Sequence, residues 1–199
     1  MKETKDVYKV YDKIADWFHQ NRGQDLMEKA YLDFVLANIP QDGKILDLGC
    51  GTGKPILAYL LSLGRTVVAV DASKEILKLA AQNFPDQAFI LQDMRDLDLP
   101  EKFDAIIAWH SFFHLPAIDQ PLMFPIFKQY LNPGGILVFT SGPAAGEAWS
   151  RLNEEDVFHA SLSPTDYEQL LQENKFIVLK KAFEDPTVGK ASVWVCQKT

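Results

Sequence analysis

Residues 45–55 read Ile-Leu-Asp-Leu-Gly-Cys-Gly-Thr-Gly-Lys-Pro. The apolar run Ile45, Leu46 and Leu48 ends in three glycines at alternating positions, Gly49, Gly51 and Gly53. Pro55 then opens an amphipathic segment that closes at Gly64. This pattern predicts a buried strand, a turn that side chains would obstruct, and a helix whose first position tolerates proline. Glycine permits positive φ and close approach of a ligand to the backbone. The free amides at the helix start favour polar or anionic ligand groups.

The spacing narrows the ligand. A dinucleotide fingerprint is Gly-x-Gly-x-x-Gly with pyrophosphate on the helix N-terminus. Here the third glycine comes one residue early, and Asp47 stands before the first. A carboxylate there repels pyrophosphate and suits a ligand carrying an ammonium and a sulfonium. A phosphate-binding P-loop is excluded, because Gly53-Lys54 is followed by Pro55 and Leu48 occupies the place of its first glycine.

Further strand tips follow in order. Thr66-Val67-Val68-Ala69-Val70 reads as a strand buried on both faces, ending in Asp71, an acid placed to accept ribose hydroxyls. Ser73 caps a helix that stops at Phe84-Pro85. A third strand, Ala88 to Leu91, leads to Asp93 and Met94, an acceptor for an exocyclic amine and an apolar contact for a base. A fourth, Phe103 to Trp109, ends at His110, and Pro133-Gly134-Gly135 forms the turn before a fifth, Ile136 to Thr140.

From Lys44 to Gly142 the chain resembles the class I S-adenosylmethionine-dependent methyltransferases, the group with Asp-x-Gly-x-Gly-x-Gly as its first motif. The resemblance implies an α/β fold: a Rossmann-like, doubly wound sheet of seven strands, mostly parallel, with an antiparallel last strand and helices on both faces. It implies S-adenosyl-L-methionine as cofactor and S-adenosyl-L-homocysteine as product. Gly49, Cys50, Gly51 and Gly53 would abut the methionine part, with Asp47 organising that end. Asp71 and Ala72 would meet the ribose, and Asp93 and Met94 the adenine. The backbone around Trp109 and His110 would face the methionine amine or the acceptor. Where some base- and protein-methylating relatives carry a Pro-Pro-aromatic motif, this chain has Trp109-His110-Ser111-Phe112, which points to a small-molecule acceptor of unidentified structure.

The chain of 199 residues fits one domain, with 47% apolar and 12% aromatic residues. Its net charge of −7, without a basic cluster, counts against nucleic acid as partner. No signal-peptide pattern and no stretch of membrane-spanning length is present, and two cysteines suggest a reduced, cytoplasmic setting. The single domain divides into an N-terminal helical lid (1–40), the cofactor core (44–142), a variable loop or lid (143–162), and a helix with a closing hairpin (163–199). The lid contains one helix through Val7, Val10, Tyr11, Ile14, Trp17 and Phe18, and a second from Asp25 to Asn38. Trp17 and Phe18 are read as packing residues; for Tyr11, packing and cofactor contact stay open. The last helix, Thr165 to Glu173, follows a Ser163-Pro164 start and ends at Asn174 in the left-handed conformation.

Methyl transfer from a sulfonium needs placement, and a base only where the acceptor is protonated. Histidine suits that role. His110 and His114 are the catalytic candidates, with His159 and His19 behind them. Two other readings remain: a nicotinamide-dependent oxidoreductase, and a binding protein without turnover. The sequence assigns no metal site and leaves the oligomeric state open.

Overall fold

The computed structural model describes residues 3–199. The chain begins with helices α1 (Tyr8–Asn21) and α2 (Lys29–Ala37). Strands and helices then alternate: β1 (Lys44–Leu48), α3 (Ile56–Ser62), β2 (Thr66–Asp71), α4 (Lys74–Asn83), β3 (Phe89–Leu91), β4 (Phe103–Ala108), α5 (Gln120–Tyr130) and β5 (Leu131–Ser141). A hairpin of β6 (Gly146–Leu152) and β7 (Glu155–Ser161) precedes α6 (Pro164–Glu173), β8 (Phe176–Asp185) and β9 (Ala191–Lys198).

Seven strands form one sheet in the order β3-β2-β1-β4-β5-β9-β8. Pairing is parallel from β3 through β5, and β9 runs antiparallel to both β5 and β8, as expected of the last strand. The strand order reverses beside β1, so the ends of β1 and β4 open a crevice at the switch point, where ligands bind in open α/β sheets. Central strands are apolar on both faces because both are covered. Leu46, Phe103, Phe139 and Trp194 pack on one side, while Ile45, Ile107, Val138 and Val195 pack on the other.

Several boundaries differ from the sequence reading. The second helix starts at Lys29 rather than Asp25. Pro133-Gly134-Gly135 lies inside β5, where the register with β4 jumps from Phe103↔Leu131 to Ala105↔Ile136. The left-handed residue after α6 is Lys175 (φ 65°); Asn174 has φ −93°. Helix α5 was not foreseen, since Pro121 and Pro125 mask its pattern.

The 143–162 stretch, expected as a loop, contains the antiparallel pair β6–β7 in unbroken register from Gly146↔Ser161 to Leu152↔Glu155. Its turn is Asn153-Glu154, with φ of 44° and 66°. A two-residue hairpin turn with positive φ at both positions is usually signalled by glycine; Asn-Glu gives little warning. Val157, Phe158 and Ala160 of β7 pack against Val7 and Val10 at the start of α1, tying hairpin and lid into one small core.

Candidate active site

The glycine turn is held by the neighbouring strand. The amides of Gly49 and Cys50 both donate to the carbonyl of Val70, at 2.8 and 3.0 Å. Gly49 has φ 80°, and a Cβ there would come within 2.2 Å of the Ser111 Cβ. Ser111 is itself anchored, its hydroxyl donating to the Leu48 carbonyl at 2.7 Å. At Gly53 (φ 79°) a Cβ would meet the Phe84 ring at 2.6 Å. Gly49 and Gly53 are therefore glycines because protein crowds them. Of the three turn glycines, only at Gly51 (φ 58°) would a Cβ meet nothing within 4 Å.

That open space is a cavity of about 460 Å³. One wall comprises Asp47, Gly49, Cys50 and Gly51 of the first turn, Asp71 and Ala72 after β2, and Asp93 and Met94 after β3. Trp109, His110, Phe113 and His114, after β4, form its floor, and Tyr11, Trp17 and Phe18 of α1 cover it. The sequence-assigned residues thus converge, with two exceptions: Gly53 faces Phe84, away from the cavity, and His19, the last of the histidine candidates, does not line it. Trp17 and Phe18, read as packing residues, border the cavity, and Arg22, Ser150 and Leu152 join them without any local signal in the sequence.

The acids on this wall differ in state. Asp47 is 3% exposed, and its Oδ2 has no hydrogen-bond partner among the described residues. Burial, and then the nearby Asp71, push its carboxyl up to about 7. An orphaned buried carboxylate costs free energy unless something cationic or hydrogen-bonding meets it. Asp71 is held at both oxygens, Oδ2 accepting from Gly51 N and Oδ1 from Ser73 N, each at 2.9 Å. Burial raises its pKa, opposed by those amides. Asp93 is occupied by Arg95, which reaches Oδ1 through its backbone N (2.9 Å) and Nε (3.0 Å) and Oδ2 through Nη2 (2.6 Å). Its carboxylate thus anchors Arg95 while still lining the cavity with Met94.

The two catalytic candidates separate. His114 Nδ1 lies 2.9 Å from the Phe158 carbonyl, so Nδ1 carries the proton, and Nε2 accepts from the Tyr11 hydroxyl at 3.0 Å. With both nitrogens engaged and burial pushing its pKa down to about 3, His114 has no lone pair free for a ligand. Tyr11 is held by this bond and by the edges of Phe18 and His114, at 5.2 and 5.4 Å between ring centroids. The His110 ring makes no hydrogen bond to the described residues. Its backbone is left-handed (φ 50°), fixed by donation from its amide to Thr140 Oγ1 at 2.9 Å. A non-glycine residue held there is a strained position of the kind that clusters at functional sites. Burial, then Arg22 and His159, lower its pKa to about 4, so at neutral pH it is an unprotonated imidazole facing the cavity. Burial and the nearby Asp71 and Asp47 push the Cys50 thiol well above the ordinary range, which disfavours its thiolate.

A family model described as a methyltransferase domain matches residues 45–135, the stretch that holds the turn and both acidic strand tips. Over those residues the chain is similar to the methyltransferase domain family. Among curated relatives, it is 30% identical over 137 residues to the dTDP-3-amino-3,4,6-trideoxy-alpha-D-glucopyranose N,N-dimethyltransferase of Streptomyces venezuelae, covering 66% of this chain and 57% of that one. The matches span 57% and 63% of the lengths of the first such relatives. Solved methyltransferase structures share the fold. The amino pentose methyltransferase from Micromonospora echinaspora, bound to S-adenosylmethionine, superposes with TM-score 0.73 at 18% identity, over 96% of this chain and 97% of that one. The 1,6-didemethyltoxoflavin-N1-methyltransferase of Burkholderia thailandensis gives TM-score 0.71 at 20% identity, over 96% and 87%. No helix among the described residues is long and apolar enough to cross a membrane, and no group of three or more metal-ligating side chains occurs among them.

Proposed function

We propose that the chain binds S-adenosylmethionine against the 49–53 turn and transfers its methyl group to a small-molecule acceptor. The observation that carries this reading is the orphaned carboxylate of Asp47, buried in the wall that also holds Gly51, the turn glycine where a Cβ would meet nothing within 4 Å. When bound, the cofactor supplies an electrophilic methyl: the acceptor lone pair forms the bond to carbon, and the C–S bond breaks with its electron pair returning to sulfur. Asp47 offers its free oxygen to the ammonium, and Asp71, fixed by two amides, offers its remaining lone pairs to the ribose diol. Trp109 and the α1 aromatics exclude water. The free ring of His110 takes the proton of an N–H or O–H acceptor. Placement alone supplies roughly 7–11 kcal/mol of such a barrier.

Calorimetry with S-adenosylhomocysteine tests the assignment. Asp71→Asn keeps the side-chain shape and loses the charge, so affinity should fall about ten- to a hundredfold, the equivalent of about 1.5–3 kcal/mol for a charge-assisted bond. Unchanged affinity would remove Asp71 from the site.

A further inference from the structure

Three features of the cavity belong to no part of the cofactor wall. Ser150 and Leu152 of β6 and His159 of β7 line it from the hairpin, outside the seven-stranded sheet. Ser150 Oγ and His159 Nε2 lie 2.7 Å apart, so the two side chains act as one polar unit. The Phe113 ring connects this unit to His110, with centroids 5.7 Å from His110 and 5.2 Å from His159. An aromatic strip therefore runs from the tip of β4, where the proton acceptor sits, to the hairpin.

The charges around the cavity lie elsewhere. Its acids, Asp47, Asp71 and Asp93, all stand on the strand-tip wall. Arg22 donates through Nε to the Lys54 carbonyl at the glycine turn and rests on Phe18, 5.5 Å from the ring centroid. Arg95 is saturated by Asp6, Asp93 and Asp119. Lys5 is exposed. The hairpin wall itself presents a leucine, a hydroxyl and an imidazole, and no ion. An ionised group placed there would be desolvated without a counter-ion on that wall, which is strongly unfavourable, whereas an uncharged ring meets apolar contact and two hydrogen-bonding groups.

We propose that the Ser150–His159 pair and Phe113 form the acceptor subsite, and that it takes a small, uncharged, ring-bearing molecule whose polar group bonds to the hairpin. This inference rests on the methyltransferase reading of the same cavity. Ser150 and His159 are positioning residues: they orient the ring so that its nucleophilic atom lies near His110, and they touch no part of the cofactor.

Saturation-transfer NMR on the protein saturated with S-adenosylhomocysteine tests it with six probes. Phenol, indole and quinolin-4-ol should bind; benzoate, phenyl phosphate and benzylammonium should not. His159→Gln and the smaller change Ser150→Ala should each weaken binding of the best neutral probe at least fivefold, while calorimetric affinity for S-adenosylhomocysteine stays within twofold of wild type. Retained cofactor-product affinity in both variants also shows that the fold is intact. Equal or better binding of the charged probes, or unaltered neutral binding in both variants, overturns the subsite while leaving the cofactor assignment standing. Absence of S-adenosylhomocysteine binding by the wild-type protein overturns the cofactor reading, and the subsite falls with it.

Discussion

Asp47 shows how one side chain links the fold to ligand chemistry. It sits in the middle strand of the crevice, 3% exposed, with one oxygen unpartnered. Its folded pKa of about 7 lies above its ordinary value of 3.8, so the folded protein holds this proton more tightly than the unfolded chain. The resulting stability is fully present below pH 4 and is lost as pH rises through 7. A cationic ligand reverses that penalty by favouring the ionised form. Affinity for S-adenosylmethionine should therefore rise up to about tenfold per pH unit below 7 and level off above it. Calorimetry from pH 6 to 8 checks this, and the slope should vanish in Asp47→Asn; a slope retained in that variant would place the titrating group elsewhere. Asp47 and Asp71 were legible because each occupies a strand tip beside a motif. The separation of His110 from His114 was not, since it depends on a carbonyl at Phe158, 44 residues beyond His114.

Among elements, α1 precedes the sheet in sequence and is tied to the core by polar contacts. Asp12 Oδ1 accepts from Ser73 Oγ at 2.7 Å and from the Glu75 amide at 3.0 Å, so α1 helps cap α4. Asp6, just before α1, pairs with Arg95 at 2.9 Å, and the same guanidinium reaches Asp119, just before α5. Arg95→Ala would leave three partly buried carboxylates facing one another. Because all are about one-fifth exposed, solvent screens part of the repulsion, and we expect a loss on the order of 2 kcal/mol. Urea denaturation should show the lower midpoint, and limited proteolysis should cut earlier within α1. An unchanged midpoint would mean that the cluster holds nothing together. The periodicity of α1 predicted the helix, but nothing local announced that Trp17, Phe18 and Arg22 border the cavity. Apolar spacing reports a buried face and says nothing of what covers it. The β6–β7 hairpin was missed for a related reason, since its turn lacks glycine.

At the scale of the molecule, alternation of strand and helix, two-sided burial and the glycine spacing agreed on a doubly wound sheet, and the strand order bears this out. Consistency across levels is what made the fold readable. The acceptor side was opaque because it is assembled from α1, the segment after β4 and the hairpin, which meet only in three dimensions. A crystal structure of the protein with S-adenosylhomocysteine tests the central claim most directly. We expect the ribose hydroxyls within hydrogen-bonding distance of Asp71, the amino group directed at Asp47 Oδ2, and the backbone of Gly51 against the homocysteine chain. Density for the compound anywhere else, or a crevice left empty at saturating concentration, would contradict the account.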